Sequence, residues 1–169
     1  MSGGAAVPVD TFEVRLLGAP IRVWAEASDR YRDLLREFTL LQFGHAEGRS
    51  VPERLLHLSE QLTGKYAGLT AANNARRDEA EAAGDEQIDL TYHVPAEVRG
   101  ACENLLLLLE EADEYCRNDQ LLTLATPPTQ VEFRRWYLNQ FIDQIDGMPP
   151  RAWDGPLVCP DEELPAPSR

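Results

Sequence analysis

The chain has 169 residues, with 29 Asp or Glu against 16 Lys or Arg, and a formal net charge of -13. One domain is expected at this length, and an apolar content of 43% is enough to build a sizeable core. The acidic balance repels phosphate backbones and anionic lipid headgroups, so it argues against nucleic acid and membrane surfaces as partners.

The N-terminal segment, residues 1–10, lacks the basic and apolar regions of a secretory signal. We expect this segment to be disordered. The three cysteines are odd in number and form no C-x-x-C pair, which favours reduced thiols and a cytoplasmic location. The longest aliphatic run, the five leucines 105–109, is far too short for a membrane span.

Two short segments alternate apolar and polar residues, which is typical of strands. They are residues 12–17, which end before Gly18 and Pro20, and residues 88–94. Neither segment is stable alone. The pattern leaves two arrangements open: the segments pair with each other, or they lie as extended arms over helices.

Four longer segments space their apolar residues by three and four, as amphipathic helices do. The first runs from Pro20 to Phe43, with Arg30 on its polar face. The second follows a capping box of Ser50 and Glu53 and is expected to continue to about residue 83.

The third helix is predicted from residue 95 or 96 to residue 118, and its five leucines predict that it is the most buried of the four. The fourth is predicted to begin with Thr126 as its N-cap and Pro127 at the first helical position, and to end at Gly147. The Pro-rich tail, residues 148–169, is expected to lack regular structure, with Trp153 folding back onto the core.

These elements predict a mainly α fold. We expect an antiparallel four-helix bundle over residues 11–147, with at most one short two-stranded ribbon. The disordered segment 1–10 and the tail 148–169 flank this domain. The alternative is a helical domain with a minor two-stranded ribbon.

The motifs predict neither an enzyme nor a cofactor or metal site. No Glu-x-x-His pair occurs, so His57, between leucines, is interpreted as an edge or exposed histidine. Cys102 and Cys116 lie on nearly one helical face and are interpreted as core residues. No nucleophile elbow or phosphate-cradling loop is present in the sequence. The acidic run 110–114 is expected to be a solvated face, or alternatively a docking surface for a basic partner.

The corner between the third and fourth helices holds residue types that dominate binding hot spots. The set comprises Glu114, Tyr115, Arg117, Arg134, Arg135, Trp136 and Tyr137. Because aromatic neighbours must be buried there, we expect either Arg134 or Arg135 to lie partly inside, paired with an acid of the 110–114 run. Two interpretations stay open: a structural salt bridge among aromatic rings, or a site for an anionic or aromatic ligand or a partner.

Six segments together resemble a known group of proteins. They are Leu17–Ile21, Leu34–Phe38, Asp89–Tyr92, Glu111–Arg117, Leu121–Leu124 and Phe133–Leu138. The chain resembles, over most of residues 12–153, an uncharacterised family of small actinobacterial proteins encoded beside anti-sigma-factor kinases, STAS-domain antagonists and SpoIIE-type phosphatases. The resemblance implies a part in stress or sigma-factor partner switching and carries over no site residues.

The sequence therefore favours a non-enzymatic, cytoplasmic regulatory or adaptor protein that acts through protein contacts, with a homodimer left open. The alternative is a small-molecule sensor with its ligand between helices near Arg134, Trp136 and Tyr137. A closed apolar pocket with convergent polar groups would favour the sensor. An exposed apolar patch or a self-complementary face would favour the adaptor.

Overall fold

The structure, a computed structural model, describes residues 11–43, 67–118 and 123–160. In chain order its elements are β1 (Thr11–Pro20), α1 (Ile21–Phe43), α2 (Ala67–Ala83), β2 (Gln87–Pro95), α3 (Val98–Arg117) and α4 (Pro128–Ile145). The predicted capping box of Ser50 and Glu53 lies outside the described residues, together with His57. The predicted disordered segment, residues 1–10, and the end of the Pro-rich tail, residues 161–169, also lie outside them.

The two strands pair antiparallel over nearly their whole length, from Thr11 opposite Pro95 to Pro20 opposite Gln87. Alternate side chains of both strands face the core, and the side chains buried there are Val14, Leu16, Leu90, Tyr92 and Val94. The period of two therefore buries one face of the sheet beneath the helices.

The predicted antiparallel four-helix bundle is wrong. The two strands are ten and nine residues long, and their inner face forms part of the core. The alternative of a helical domain with a minor ribbon underestimates the sheet as well. Sequence periodicity predicted the strands, but the pairing joins residues 11–20 to residues 87–95, a non-local contact that local pattern does not report.

A β-bulge interrupts the register between Leu16 and Ala19. Gly18 lies in it with a φ of +64°, a conformation that glycine adopts without steric cost. Asp89 accepts a hydrogen bond from the Gly18 amide at 2.6 Å, and Gln87 donates to the Gly18 carbonyl at 2.9 Å. The bulge thus keeps its polar backbone groups paired.

Midway along the strands, side-chain amides from two helices form hydrogen bonds with the backbone at both edges of the sheet. Gln144 of α4 accepts a hydrogen bond from the Arg15 amide at 2.9 Å and donates to the Arg15 carbonyl at 2.8 Å. Asn73 of α2 donates to the carbonyl of Thr91 at 3.0 Å. Arg15 and Thr91 lie opposite each other in the register. They form a pair in which the backbone N–H and C=O groups point away from the partner strand, toward the edges of the sheet.

Helix α4, rather than α3, is the most extensively packed helix in the described part of the chain, and it lies against α3, β1 and α1. The prediction that the five leucines make α3 the most buried helix is wrong. Only Leu109 of the five is buried, and Leu107 is 62% exposed. Helix α3 packs chiefly on α4.

The predicted N-cap of α4 is also wrong. Helix α4 begins at Pro128, with Pro127 before it and no side-chain cap. The hydroxyl of Thr126 instead donates to Asp113 at 2.5 Å. A carboxylate is the stronger acceptor, and it draws the threonine away from the helix end.

The described part of the tail has no helix or strand, yet Trp153 is buried as predicted. Its ring lies edge-on to Trp136 at 5.5 Å and to Phe133 at 5.9 Å. Its amide donates to the Leu17 carbonyl at 2.9 Å, so the tail is bonded to β1. Among the helices of residues 11–43, 67–118 and 123–160, none has the length and apolar character required to cross a membrane.

Candidate functional site: an aromatic-lined cavity

A cavity of about 350 Å³ lies among α1, α3, α4 and β2. Its aromatic wall consists of Trp24, Tyr31, Tyr92, Phe133, Tyr137 and Phe141. These side chains come from three elements, and aliphatic side chains of α3, including Leu105 and Leu109, line the cavity as well. The volume lies within the range of small-molecule pockets, about 300–1,000 Å³.

Ring contacts fix the aromatic wall. Tyr137 lies between Trp24, at 5.4 Å, and Phe141, at 5.3 Å, and Tyr92 packs edge-on against Phe141 at 5.1 Å. The hydroxyls of Tyr137 and Tyr92 are 3.4 Å apart. Such tilted and edge contacts are the favoured geometry of aromatic pairs, so the rings support one another in fixed positions.

Arg77 of α2 supports the wall at Trp24. Its guanidinium lies 5.2 Å from the centre of the Trp24 ring, within the range of cation–π attraction. The same side chain donates to the hydroxyl of Ser28 at 3.3 Å. This residue therefore holds α2 against α1 beside the cavity.

A buried ion pair forms one part of the cavity wall. Arg134 Nη2 lies 2.7 Å from Asp113 Oδ2, and the two side chains are only 12% and 8% exposed. The other oxygen of Asp113 accepts hydrogen bonds from the amide and hydroxyl of Thr126. Asp113 is thus satisfied by three donors, as a buried carboxylate needs.

Arg30 of α1 reaches the same end of the cavity but meets only neutral acceptors among the described residues. It donates to Gln130 at 3.1 Å and to the carbonyls of Leu124 and Ala125. The sequence interpretation that Arg30 belongs to the polar outer face of its helix is wrong, because the connector before α4 lies against it. A charged donor on carbonyl oxygens stabilises the connector while keeping its positive charge at the cavity.

Among the residues that line the cavity, Tyr31 and Arg134 each have a buried polar atom without a hydrogen-bond partner in the described structure, the hydroxyl oxygen of Tyr31 and the Nε of Arg134. Burial raises the pKa of Tyr31, so this hydroxyl keeps its proton and remains a donor. Unpaired buried donors cost free energy, and here both belong to residues that line one cavity.

The thiols of Cys102 and Cys116 also line the cavity. Both are buried and free, as predicted for core cysteines. Burial raises the pKa of Cys102 to about 12. Burial and the charges of Asp113 and Glu37 raise the pKa of Cys116 to about 11. Both thiols therefore stay protonated near neutral pH and are poor nucleophiles.

The seven residues predicted at the helix corner divide among three environments. Arg134 and Tyr137 line the cavity. Trp136 faces the tail, where its Nε1 donates to the Arg151 carbonyl at 2.9 Å. The remaining four lie outside the cavity: Glu114, Tyr115, Arg117 and Arg135. The corner is therefore not one cluster.

The expectation that one of the two arginines lies inside is confirmed. Arg134 is the buried one, and Arg135 is 54% exposed and paired with Glu110 at 2.8 Å. Glu114 bonds locally to Arg117 at 2.9 Å, one turn along the same helix. The interpretation of the acidic run 110–114 as a wholly solvated face is wrong at Asp113, which turns inward to meet Arg134.

Sequence reasoning missed the contributions of α1 and β2. Trp24 and Tyr31 fall in the predicted apolar stripe of the first helix, and Tyr92 falls on the apolar side of the second strand. Each was interpreted as ordinary core. A signal was present in the residue types, because Tyr31 and Tyr92 place hydroxyls at positions where a phenylalanine would be sufficient for packing.

The described residues contain no group of three or more His, Cys, Asp or Glu arranged to hold a metal ion.

The chain matches no family model, and no curated protein or solved structure is significantly similar to it.

Proposed function

We propose that the protein binds a small, mainly apolar molecule in the cavity among α1, α3, α4 and β2. The observation that carries this proposal is the combination of about 350 Å³ of space with a lining that is mainly apolar and aromatic and includes a few polar side chains, among them Arg30, Asp113 and Gln130. Apolar pockets with a few placed polar groups are the usual form of small-molecule sites.

The volume itself supports a ligand. The cavity is partly open to the surface and its lining is mainly apolar, so without a ligand apolar side chains are left in contact with water. A bound apolar molecule removes this surface from water, so occupancy is expected to stabilise the fold by mass action.

The proposal is for binding without a chemical step. Asp113 is paired with Arg134, and the two cavity thiols remain protonated. Burial also raises the pKa of Tyr137 well above its ordinary value. Groups held in these states orient a ligand rather than exchange protons with it near neutral pH.

The test uses the neutral, environment-sensitive naphthalene dye prodan. We expect its fluorescence to rise and shift to the blue with the protein, and the midpoint of thermal unfolding to rise with dye concentration. In Ala27→Leu, extra side-chain volume enters the cavity, so dye binding should weaken while thermal stability is kept.

The matched control is Ala75→Leu, at an exposed position of α2, which should leave dye binding unchanged. If the dye does not bind, or if both leucine variants bind it as well as the original protein does, the proposal is wrong.

A second candidate function, regulation through protein contacts, has one specific observation in its favour. Leu107 is 62% exposed on α3, and the exposed residues Glu103 and Glu114 lie on the same helix. An apolar residue rimmed by acids suits a partner with a basic rim and disfavours a second copy of this acidic chain. The resemblance to proteins of partner-switching neighbourhoods is compatible with this role.

Capture from a native extract tests the second candidate. Leu107→Glu should lose a partner that the original protein retains. Leu40→Glu is the control, because Leu40 of α1 is similarly exposed, at 67%. Equal capture by both variants and the original protein would exclude this face of α3 as the partner surface.

A further inference from the structure

Residues 148–160, which follow α4, form a strap that is bonded to both α4 and β1. The carbonyl of Arg151 accepts a hydrogen bond from Nε1 of Trp136 at 2.9 Å. The amide of Trp153 donates to the carbonyl of Leu17 at 2.9 Å. The strap has no helix or strand of its own, so contacts with the rest of the protein hold it in place.

Phe133 connects the strap to the cavity wall. Its ring lies 5.9 Å from the ring of Trp153. It also packs on two other rings of the wall, Trp24 at 6.0 Å and Tyr137 at 5.9 Å. Phe133 lines the cavity, whereas Trp153 does not. Trp153 therefore supports a residue of the wall without lining the cavity itself.

A second connection runs through Gln130, which also lines the cavity and is only 2% exposed. Its Nε2 donates to the Sγ of Cys159 in the strap at 3.6 Å, and its Oε1 accepts from the Nε of Arg30 at 3.1 Å. Arg30 lines the cavity as well. The two buried side chains of the strap, Trp153 and Cys159, thus each contact a different cavity-lining residue of α4.

These contacts make the shape of the wall depend on the strap. If the strap leaves its seat, one side of the Phe133 ring loses its packing partner and Gln130 loses a contact, so neither side chain is held as firmly. A ligand that packs on this wall binds more tightly to the form with the strap in place. Linkage then requires that a bound ligand favour the docked strap by the same factor.

From these observations we infer that Trp153 is a positioning residue of the cavity, and that docking of the strap and binding of the ligand promote each other. This inference rests on the proposed binding function. It assigns to the tail a role in that function although no strap residue lines the cavity in the described structure.

The first test compares prodan affinity in two glycine variants. In Gly155→Ala the new Cβ overlaps the ring of Trp153 and forces it to move. The matched control is Gly84→Ala, where the φ of +83° strains an alanine but no atom lies within 4 Å of its Cβ. Coupling between two sites is typically about 5–150-fold, so we expect Gly155→Ala to weaken prodan binding by at least about fivefold. Gly84→Ala should change it by less than about twofold, at a temperature where circular dichroism shows both variants folded.

Equal prodan affinities of both variants and the original protein would overturn the inference and leave the proposed function standing. An equal loss in both variants would also overturn it, because general destabilisation would then explain the effect. Failure of prodan to bind the original protein would overturn the proposed function and this inference together.

Hydrogen exchange of the original protein gives a second test, which can be read even if Gly155→Ala does not fold. The Trp153 amide is bonded to the Leu17 carbonyl in the docked strap, so its exchange rate reports undocking. Saturating prodan should slow this exchange by at least about fivefold. The amide of Val14, within the sheet, is the reference for global unfolding.

An unchanged exchange rate at Trp153 in the presence of bound prodan would overturn the inference. A rate equal to that of Val14 both with and without prodan would overturn it as well, since the strap would then open only when the whole protein unfolds.

Discussion

Asp113 of α3 and Arg134 of α4 form a buried ion pair, 2.7 Å from oxygen to nitrogen. The second oxygen of Asp113 accepts a 2.5 Å hydrogen bond from Thr126, in the connector between the two helices. One carboxylate thus joins both helices and the chain that links them. It also fixes the position of the guanidinium of Arg134, a residue that lines the cavity.

Breaking this pair should cost far more than breaking its exposed neighbour. We expect Arg134→Gln to lower the free energy of unfolding by about 3–5 kcal/mol, because it leaves a buried carboxylate without its cation. Arg135→Gln, which disrupts the exposed pair with Glu110, should cost about 0–1 kcal/mol. Urea denaturation measures both, and similar costs would contradict the burial of the first pair.

The two side-chain amides that bond to the sheet edges should contribute different amounts to the free energy of unfolding. Gln144→Leu leaves both the N–H and the C=O of Arg15 unpaired, whereas Asn73→Leu leaves only the carbonyl of Thr91 unpaired. A fully buried unpaired group costs about 1–3 kcal/mol, and these partly buried groups should each cost less, so the Gln144 variant, with two of them, should be the less stable in urea. Asn104→Leu, at an exposed position of α3, is the control and should change stability by less than about 0.5 kcal/mol. If Asn73→Leu were less stable than Gln144→Leu, the assignment of these hydrogen bonds at the sheet edges would be wrong.

Replacing each of two glycines with alanine should change the stability of the protein in opposite directions. A Cβ at Gly155 would overlap the ring of Trp153, so Gly155→Ala should destabilise the protein by about 1–3 kcal/mol. A Cβ at Gly100 of α3 meets nothing within 4 Å, so Gly100→Ala should stabilise the helix by about 0.5–1 kcal/mol. Thermal unfolding measures both, and a neutral Gly155→Ala would indicate that the tail does not hold Trp153 in this position.

Alkaline pH should weaken the fold through the cavity groups. Burial raises the pKa of Cys102 from 9.0 to about 12, so the unfolded chain releases this proton at lower pH than the folded chain does. The stabilisation is complete below about pH 9 and is lost progressively between about pH 9 and 12. Tyr31 and Tyr137, whose pKa values are also raised by burial, add to the loss above about pH 10.

Urea midpoints at increasing pH test this expectation. In Cys102→Ala the decline between about pH 9 and 10 should be shallower than in the original protein, because one of the linked protons is gone. Identical slopes would show that the thiol of Cys102 is not buried in the folded state.

The sequence predicted the elements well and their assembly poorly. The strand predicted at residues 88–94 is Gln87–Pro95, and the helix predicted to run to residue 118 ends at Arg117, because alternation, helical spacing and turn residues are local signals. The bundle was wrong because the pairing of β1 with β2 depends on contacts between distant parts of the chain. Its register also depends on a bulge at Gly18, whose glycine was interpreted only as a strand end.

One part of the candidate site, the buried ion pair, followed from helical geometry. Arg134 and Arg135 are adjacent, so a helix must direct them to different sides, and the inward one needed an acid on the neighbouring helix. The contribution of Tyr31 and Tyr92 could not be predicted in this way, since no periodicity shows which apolar stripes leave space between them. A cavity is a property of the assembled packing rather than of any one element.

A sheet of two strands has no interior strand, so both of its strands offer backbone groups to any passing extended chain. In this protein Gln144 already occupies both outward backbone groups of Arg15, and Asn73 occupies the carbonyl of Thr91. Recruitment of a third strand, and with it edge-to-edge aggregation or amyloid-like growth, would first have to displace an amide that α4 or α2 holds in place. The helices therefore block strand addition at these positions of the sheet edges, and they also cover the apolar face of the sheet.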